Sequence, residues 1–337
     1  MNNEKVLRER RDFLATGISA FALLSLSGSV EMFSQSIRKK HPYLLFDESE
    51  ISRIKANTDS KLLNDYWKSL LSIDLNPDYK FLNEEIDFKL HSPHLGKTCS
   101  ILLRSSFLAF MTGQEKYISL ALLAVDKLLG FNEWDFFTEG GDKIIGFNSA
   151  PNAIHAMSFA YDWLYDHLTE EKRNIILKAI EERGAEACYL SLFGMRHPDK
   201  VKGWGLLSTT KNVNKVDYTN WPKIFNTNNI KITALAGLVI GYSLLHSEGK
   251  RNEKFIDMIK WGMSTSYTPF NKDGSFDEGI PYWAYTMYFY TLAVECCKRH
   301  LGLNYMNVID FRKNSEFIAT MITPSIIDHN MYVNFCD

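Results

Sequence analysis

The sequence has almost no net charge. Its 38 Lys and Arg residues are offset by 40 Asp and Glu residues, which leaves a formal net charge of -2. This balance excludes a nucleic-acid binder of the strongly basic kind, which needs an excess of cations to hold phosphates. It leaves room for a basic cleft, because the local field of a cleft does not depend on the net charge.

Cysteines are also few, and their spacing carries no signature. There are five, an odd number, and two of them are adjacent. The sequence has no CxxC and no pair of histidines at the spacing of zinc ligands. We therefore expect no disulfide framework, no metal site and no cofactor. The cysteines are Cys99, Cys188, Cys296, Cys297 and Cys336.

Strand patterns are nearly absent before the last dozen residues, where Met331 to Phe335 predict one strand. Helical periodicity dominates instead. Asp47 is the expected N-cap of the first helix, and Glu50 completes a capping box. The periodicity predicts helices near 47–57, 60–72, 96–112, 115–129, 149–166, 170–192, 224–247, 252–268, 281–301 and 311–322.

The predicted helices alternate short turns with long loops, as antiparallel helical hairpins do. They predict an all-α fold, in which residues 37–325 form a closed (α/α) toroid of such hairpins. An open helical solenoid is the alternative, but the sequence shows no fixed-length repeat that would support it.

The N-terminus has the layout of an export signal. Arg10-Arg11 precedes an apolar stretch over residues 15–30, and Lys39-Lys40 follows it. This order predicts a twin-arginine export signal over residues 1–36 and a periplasmic or extracellular location. A chance basic pair before a buried helix is the alternative. The apolar stretch is shorter than the roughly 20 residues of a membrane span, so we expect no stable span once the signal is removed.

Two long loops, predicted over residues 131–147 and 193–224, carry many charged and aromatic residues. The second is strongly basic and carries Trp204, Tyr218 and Trp221. Cations interleaved with aromatic rings suit an anionic sugar chain, because the cations neutralise acid groups and the rings cover apolar sugar faces. A solvated loop that its aromatics pin to the core is an equally good interpretation.

Amide side chains cluster where this loop meets an apolar helix. Asn226, Asn228 and Asn229 lie at the mouth of that helix, and a helix cap needs only one of them. Amide donors beside the positive end of a helix dipole suit a bound carboxylate.

A second segment, residues 273–285, is a Gly-containing turn that feeds a tyrosine-rich helix. Tyr282 and Tyr285 are one turn apart on the same face of this helix. Tyr288 is expected to be core or rim, His155 a core histidine and Asp162 a structural residue that bonds neighbouring loops.

Four segments of the chain occur in the order found in one enzyme family. The chain resembles the heparinase II/III-like polysaccharide lyases, which share an (α/α) toroid followed by a β-sandwich domain. The resemblance implies β-eliminative cleavage of an acidic, uronate-containing polysaccharide such as a glycosaminoglycan or alginate. It also implies that residues 326–337 begin a β-sandwich domain that is missing here, an incomplete C-terminal β region. The four segments are His41-Pro-Tyr-Leu-Leu-Phe-Asp, Ala160-Tyr-Asp-Trp-Leu-Tyr-Asp, Asn220-Trp with Asn226, and Asp273-Gly-Ser-Phe-Asp-Glu-Gly with Tyr282.

The resemblance also implies roles for individual residues. Asn226 matches the asparagine that neutralises the uronate carboxylate, and Tyr282 matches the tyrosine that serves as proton donor or base. Thr227 stands where some members of the family have a histidine. The residues expected to bind substrate are Asn220, Trp221, Lys223, Asn228, Glu278, Trp283 and Tyr285.

Two other functions remain open on the sequence. One is a catalytically impaired toroid, a truncated pseudoenzyme that binds glycans without cutting them. The other is a helical-toroid glycoside hydrolase, which would need two carboxylates on either side of the scissile bond. The only candidate pair of carboxylates is Asp277 and Glu278, and both come from one turn.

Overall fold

The computed structural model describes residues 40–207, 216–323 and 331–332. The predicted export signal over residues 1–36 lies outside these ranges, as does most of the predicted β region over residues 326–337. Helices make up 67% of the structure and strands 4%, which confirms the all-α class.

Most helices follow the predicted segments, but the helix Asn76–Lys80, which continues through a π-helical turn at Phe81–Glu85, lies in none of them. Single π-helical turns also occur at Ile180–Ala185 and Cys297–Leu301. The α-helices are α1 Glu48–Asn57, α2 Asn64–Leu71, α3 Asn76–Lys80, α4 Gly96–Thr112, α5 Glu115–Gly130, α6 Ala150–Trp163, α7 Glu170–Ala179, α8 Glu186–Arg196, α9 Trp221–Phe225, α10 Asn229–Ser247, α11 Glu253–Ser264, α12 Gly279–Cys296 and α13 Phe311–Met321.

Local sequence signals set the ends of the first helix. The Asp47 side chain accepts a hydrogen bond from the backbone N–H of Ser49, and the Glu50 side chain accepts one from the N–H of Asp47. The predicted capping box is therefore confirmed.

Helix α10 is the central element of the core. It packs against α6, α8, α11 and α12. By length and composition it is apolar enough to cross a membrane, with a mean hydropathy of 1.4, but 83% of that window is buried inside the protein, as in a core helix. Two glycines allow α6 to approach closely: a Cβ added at Gly237 would lie 2.9 Å from Pro151 Cα, and one at Gly241 2.9 Å from Ile154 Cγ2.

The two long loops contain a small sheet that the sequence analysis missed. Strands β1 (Phe137–Glu139), β2 (Lys143–Ile145) and β3 (Trp204–Leu206) pair antiparallel in the order β2-β1-β3. In this register Phe137 lies opposite both Ile145 and Leu206. Interpreting both segments as loops alone was wrong, because the sheet ties them together on one side of the molecule.

The C-terminal residues that the structure describes include a second pair of strands. Strand β4 (Ile322–Thr323) pairs antiparallel with β5 (Met331–Tyr332). The strand predicted to begin at Met331 is confirmed for its first two residues, and the other three lie outside the described ranges.

The segment after residue 40 is bound to the end of α6. The buried carboxylate of Asp162 accepts hydrogen bonds from the backbone N–H groups of Tyr43 and Leu44, at 3.0 and 2.8 Å, and contacts His41 Nδ1 at 2.7 Å. The His41 ring stacks on Tyr165 with a centroid distance of 3.6 Å. Asp162 therefore has the structural role expected of it, and it brings together the first two of the four family-like segments.

Candidate functional site

The predicted helix over residues 224–247 is broken at its start, and the break forms the helix mouth. Short helix α9 ends at Phe225, with Asn226 as its C-cap. Helix α10 begins after Asn228, whose side chain accepts a hydrogen bond from the N–H of Ile230 at 3.0 Å. Asn228 is thus the N-cap of α10. The structure therefore gives Asn228 a capping role, and Asn226 is not needed for the cap.

The amide of Asn226 makes no hydrogen bond with any residue that the structure describes. Its Oδ1 atom is buried and unpartnered. Buried polar atoms normally have a hydrogen-bond partner, because an unpaired one loses its hydrogen bonds to water and gains none in the protein. The backbone carbonyl of Asn226, in contrast, accepts a hydrogen bond from Thr268 Oγ1 at 2.8 Å. The structure fixes the backbone of Asn226, whereas its half-buried side chain forms no hydrogen bond with the described residues, and only its Nδ2 group could donate to a bound carboxylate.

Glu278 joins the two segments that were expected to form the site. Its carboxylate, in the turn before α12, accepts a hydrogen bond from the backbone N–H of Asn229 at 2.8 Å. An anion at this place is favoured by the dipole of α10. Burial raises the pKa of Glu278, and the charge of Asp277 adds to the rise while the N–H of Asn229 opposes it.

This contact changes the sequence-based view of the helix mouth. The first N–H groups of α10 are bound by Glu278 and Asn228, so a substrate carboxylate would be bound by side chains rather than by the helix terminus. The carboxylate of Glu278 is itself engaged with the protein, through the backbone N–H of Asn229.

Tyr282 lies one turn after Glu278 on α12 and is half-buried. Its carbonyl accepts a hydrogen bond from Thr286 Oγ1 at 2.6 Å. Within the described residues, its phenol has no hydrogen-bond partner. Its neighbour Trp283 donates from Nε1 to Asn314 Oδ1 at 2.7 Å, which fastens α12 to α13. Trp283 therefore makes a structural contact in this structure.

Further along α12, two tyrosines contact polar side chains of α6. Asn152 Nδ2 donates to the hydroxyl of Tyr285 at 3.3 Å, and the hydroxyl of Tyr288 lies 3.1 Å from His155 Nε2. Tyr285 and Tyr288 are 38% and 40% exposed, so Tyr288 belongs to the rim. Tyr282, Tyr285 and Tyr288 form a row along α12, which we call the tyrosine row.

Burial controls the ionisation of this row. It raises the pKa of Tyr285, which the hydrogen bond from Asn152 partly offsets, and it raises that of Tyr288 to about 12. His155 is only 4% exposed, and burial lowers its pKa to about 3. His155 is therefore neutral at physiological pH and holds Tyr288 as a hydrogen-bonding partner. It is the buried core histidine that was expected, with a contact to the rim that the sequence did not show.

The residues expected to bind sugar before Asn226 divide into two groups. Asn220 and Lys223 are exposed. Trp221 is half-buried, with ring centroids 4.6 Å from Phe225 and 5.6 Å from Phe137. Its ring packs α9 onto the small sheet, as in the interpretation that the loop aromatics pin the loop to the core. Of the basic residues of this loop, Lys211 and Lys215 lie outside the described ranges.

The two carboxylates of the turn bind different partners. Asp277 Oδ1 accepts a hydrogen bond from Asn271 Nδ2 at 2.6 Å, whereas Glu278 is bound to Asn229. This arrangement does not supply the facing pair of carboxylates that glycoside hydrolysis requires. In the part of the chain that the structure describes, no three His, Cys, Asp or Glu side chains gather as metal ligands would.

Sequence reasoning missed three residues of this region: Asn152, Lys231 and Thr268. Lys231 is buried one turn into α10 and donates to Thr268, which in turn donates to Asn226. No local pattern marks these residues, because each acquires its place from contacts between distant segments. A charged residue within the apolar run of α10 is the one signal that was visible.

Comparison with known proteins adds no relative to this description. No known protein family matches the chain, and no curated protein matches it.

Proposed function

We propose that this protein is a polysaccharide lyase that cleaves a uronate-containing acidic polysaccharide by β-elimination. The observation that carries the proposal is the hydrogen bond between Glu278 and the N–H of Asn229. It holds the loop of Asn226 against the turn that leads to Tyr282. An unpartnered amide and a phenol with no described partner are thus carried by two segments in direct contact.

The proposal includes the architecture of the resembling family. Helices α4, α6, α10 and α12 pack one against the next in chain order, which is how the inner helices of an (α/α) toroid are arranged. Asn152 on α6 and the tyrosine row on α12 would then line the mouth of the ring, with His155 buried behind Tyr288.

The chemistry begins at the carbon alpha to the uronate carboxylate. A base removes its proton, the electrons of that bond form a carbon–carbon double bond, and the bond to the glycosidic oxygen breaks. Negative charge builds up on the carboxyl group meanwhile, so donors placed there lower the barrier. The amide of Asn226, with the exposed cation of Lys223, supplies this stabilisation.

The departing glycosidic oxygen takes a proton from an acid. A phenol that holds its proton at neutral pH can donate it to this oxygen. We assign this role to Tyr282, with Tyr285 as the second choice because its hydroxyl is engaged by Asn152. The alpha proton is accounted for on the same phenol: where a nearby cation stabilises its anion, ionised Tyr282 would take that proton and return it to the departing oxygen, which regenerates the phenolate.

The test is an assay for the unsaturated product. The purified protein is incubated with alginate, polygalacturonate, hyaluronan, chondroitin sulfate and heparan sulfate, and ultraviolet absorbance of the new double bond is followed. Product from at least one polymer, lost in the Asn226→Ala variant, is the expected result. No product from any polymer, with a folded protein by circular dichroism, would remove the proposal.

One observation favours a second candidate, a glycan-binding protein that does not cleave. The histidine in contact with the tyrosine row has a pKa of about 3, which makes it a weak base. A site with donors and no effective base binds an acidic sugar and leaves it intact. Binding of these polymers by calorimetry, with no absorbance change and no reducing ends released, would identify this function.

A further inference from the structure

Lys231 is a cation in the interior of the protein. Its side chain is 0% exposed, in the first turn of α10. Lysine is almost never fully buried without a charged partner, because an ammonium loses strong hydration on burial. Among the described residues, Lys231 forms no ion pair with a carboxylate.

Its three protons are nevertheless all directed at acceptors. Nζ lies 3.0 Å from the carbonyl of Thr265, 2.9 Å from Thr265 Oγ1 and 3.1 Å from Thr268 Oγ1. The ammonium also lies 4.9 Å from the ring centroid of Trp261, within cation–π range. Both hydroxyls also donate a hydrogen bond: Thr265 Oγ1 donates to the carbonyl of Trp261, and Thr268 Oγ1 donates to that of Asn226. The arrangement is that of a full donor, the charged form of lysine.

Within the residues that the structure describes, no anion forms an ion pair with this charge. Burial lowers the pKa of Lys231 to about 8, and no charged side chain of the described elements contributes to the shift. On α11 the contacting groups are Trp261 and the C-cap Thr265, and beyond it Thr268, none of which titrates. The carboxylate of Glu278 is bound to the N–H of Asn229 in the same first turn of α10, and no hydrogen bond or ion pair joins it to Lys231 among the described residues.

The contacts of Lys231 lead directly to the candidate carboxylate-binding residue. Thr268 accepts from Lys231 and donates to the backbone carbonyl of Asn226. One hydroxyl therefore connects the buried cation to the residue whose own amide has no described partner.

We propose that Lys231 is a positioning residue for acidic sugars, which fixes Asn226 through Thr268 and supplies the buried positive charge that selects a carboxylate. This inference rests on the proposed function for the identity of the ligand. A buried charge acts strongly on a nearby anion because little water screens it. The site would then discriminate against neutral sugars without direct contact between Lys231 and the substrate.

A purely structural role for Lys231 makes different predictions. Its bond to the carbonyl of Thr265 caps the C-terminus of α11, where a cation is favoured by the helix dipole. Loss of such a cap would lower stability but would affect charged and uncharged ligands alike. The test therefore compares an acidic probe with its uncharged counterpart.

The probes are alginate and heparan-type tetrasaccharides, each with its carboxyl-reduced form, and their affinities are measured by calorimetry. Three variants are compared with wild type: Lys231→Met, Thr268→Val and, as a control on the neighbouring helix, the exposed Lys260→Met. For whichever acidic tetrasaccharide the wild type binds, we expect Lys231→Met to weaken its affinity by about tenfold. The affinity for the carboxyl-reduced form of that tetrasaccharide should fall by less than about twofold. Wild-type affinity for the acidic probe should also fall as the pH rises through about 8, and this dependence should vanish in Lys231→Met.

Hydrogen exchange of the peptide spanning residues 221–229 tests, without any ligand, whether Lys231 fixes the position of Asn226. Exchange there should be faster in both Lys231→Met and Thr268→Val than in Lys260→Met. Equal exchange in all three variants, or equal losses for acidic and reduced probes, would overturn the inference. If wild type binds no acidic probe, the proposed function fails, while hydrogen exchange still decides whether Lys231 positions Asn226.

Discussion

The carboxylate of Glu278 accepts a hydrogen bond from the backbone N–H of Asn229 at 2.8 Å, between residues 49 positions apart in the chain. This bond fixes the turn before α12 against the start of α10. The carboxylate thus serves as an anion at the N-terminus of one helix while it stands at the entrance to another. The proposed site depends on it, because Asn226 shortly precedes Asn229 in the chain and Tyr282 follows Glu278 by one helical turn.

The contact predicts different effects for two variants of Glu278. Glu278→Gln keeps an oxygen that can accept from Asn229, so it should retain most activity. Glu278→Ala leaves the N–H unpaired and releases the turn, so kcat/KM should fall by about tenfold or more, which corresponds to one lost hydrogen bond to a charged group. Absorbance assays on the best polymer measure both. Equal activity of the alanine variant and wild type would show that the contact does not organise the site.

Asn226 and Asn228 should separate function from stability. The amide of Asn226 has no partner among the described residues, so Asn226→Ala should leave the free energy of unfolding nearly unchanged and lower kcat/KM by about 10²-fold, as for loss of an oxyanion-type donor. Asn228→Ala removes the N-cap of α10 and should cost about 1 kcal/mol. Urea unfolding and the product assay together check the pair. A reversal of the two patterns would contradict the assignment.

Two tyrosines of α12 form a second matched pair. Tyr282→Phe removes the proposed proton donor and should lower kcat by about 10²–10⁴-fold, with little change in stability. Tyr290→Phe removes a hydroxyl that donates to the carbonyl of Tyr305 at 2.8 Å, so it should cost about 1 kcal/mol and leave kcat nearly unchanged. If Tyr282→Phe retains wild-type kcat, another group protonates the leaving oxygen.

Asp162 should be among the most sensitive positions for stability. Asp162→Ala leaves the N–H groups of Tyr43 and Leu44 and the ring of His41 without their acceptor in the interior. We expect a loss on the order of 3 kcal/mol in the free energy of unfolding, measured by urea denaturation. The exposed Asp166→Ala, four residues on, is the control and should change it by less than about 0.5 kcal/mol.

The buried histidine predicts how stability depends on pH. Burial lowers the pKa of His155 from 6.5 to about 3, so only the unfolded chain binds this proton between those values. The contribution is complete above pH 6.5 and is lost progressively as the pH falls toward 3. His155→Gln should therefore flatten the decline of stability below pH 6.5, whereas the exposed His167→Gln should not. Identical pH profiles for the two variants would show that His155 titrates normally.

Local signals in the sequence predicted the helices well. The run from Gly96 to Thr112 has the predicted bounds, and the Asp47–Glu50 capping box forms as expected. These features depend on residues within a few positions of one another, so the sequence contains all the information that they need.

Features made by short or interrupted segments were harder to predict. Strands β1 to β3 have three residues each, too few for an alternating pattern, although the Gly140-Gly141 pair in their turn, with φ of 65° and 87°, was a usable signal. The break between α9 and α10 was also missed, because an apolar helical pattern runs through it.

The sequence by itself determined the helical class, the capping box of the first helix and which polar side chains the chain carries. Only the tertiary structure decided which of them meet: Glu278 with Asn229, His155 with Tyr288, and Lys231 with Thr268 beneath Asn226. The physical reason is that helix formation is governed by neighbours along the chain, whereas contacts between helices depend on how whole apolar faces pack. The pKa values of His155 and Lys231 follow from that packing, since burial alone lowers both.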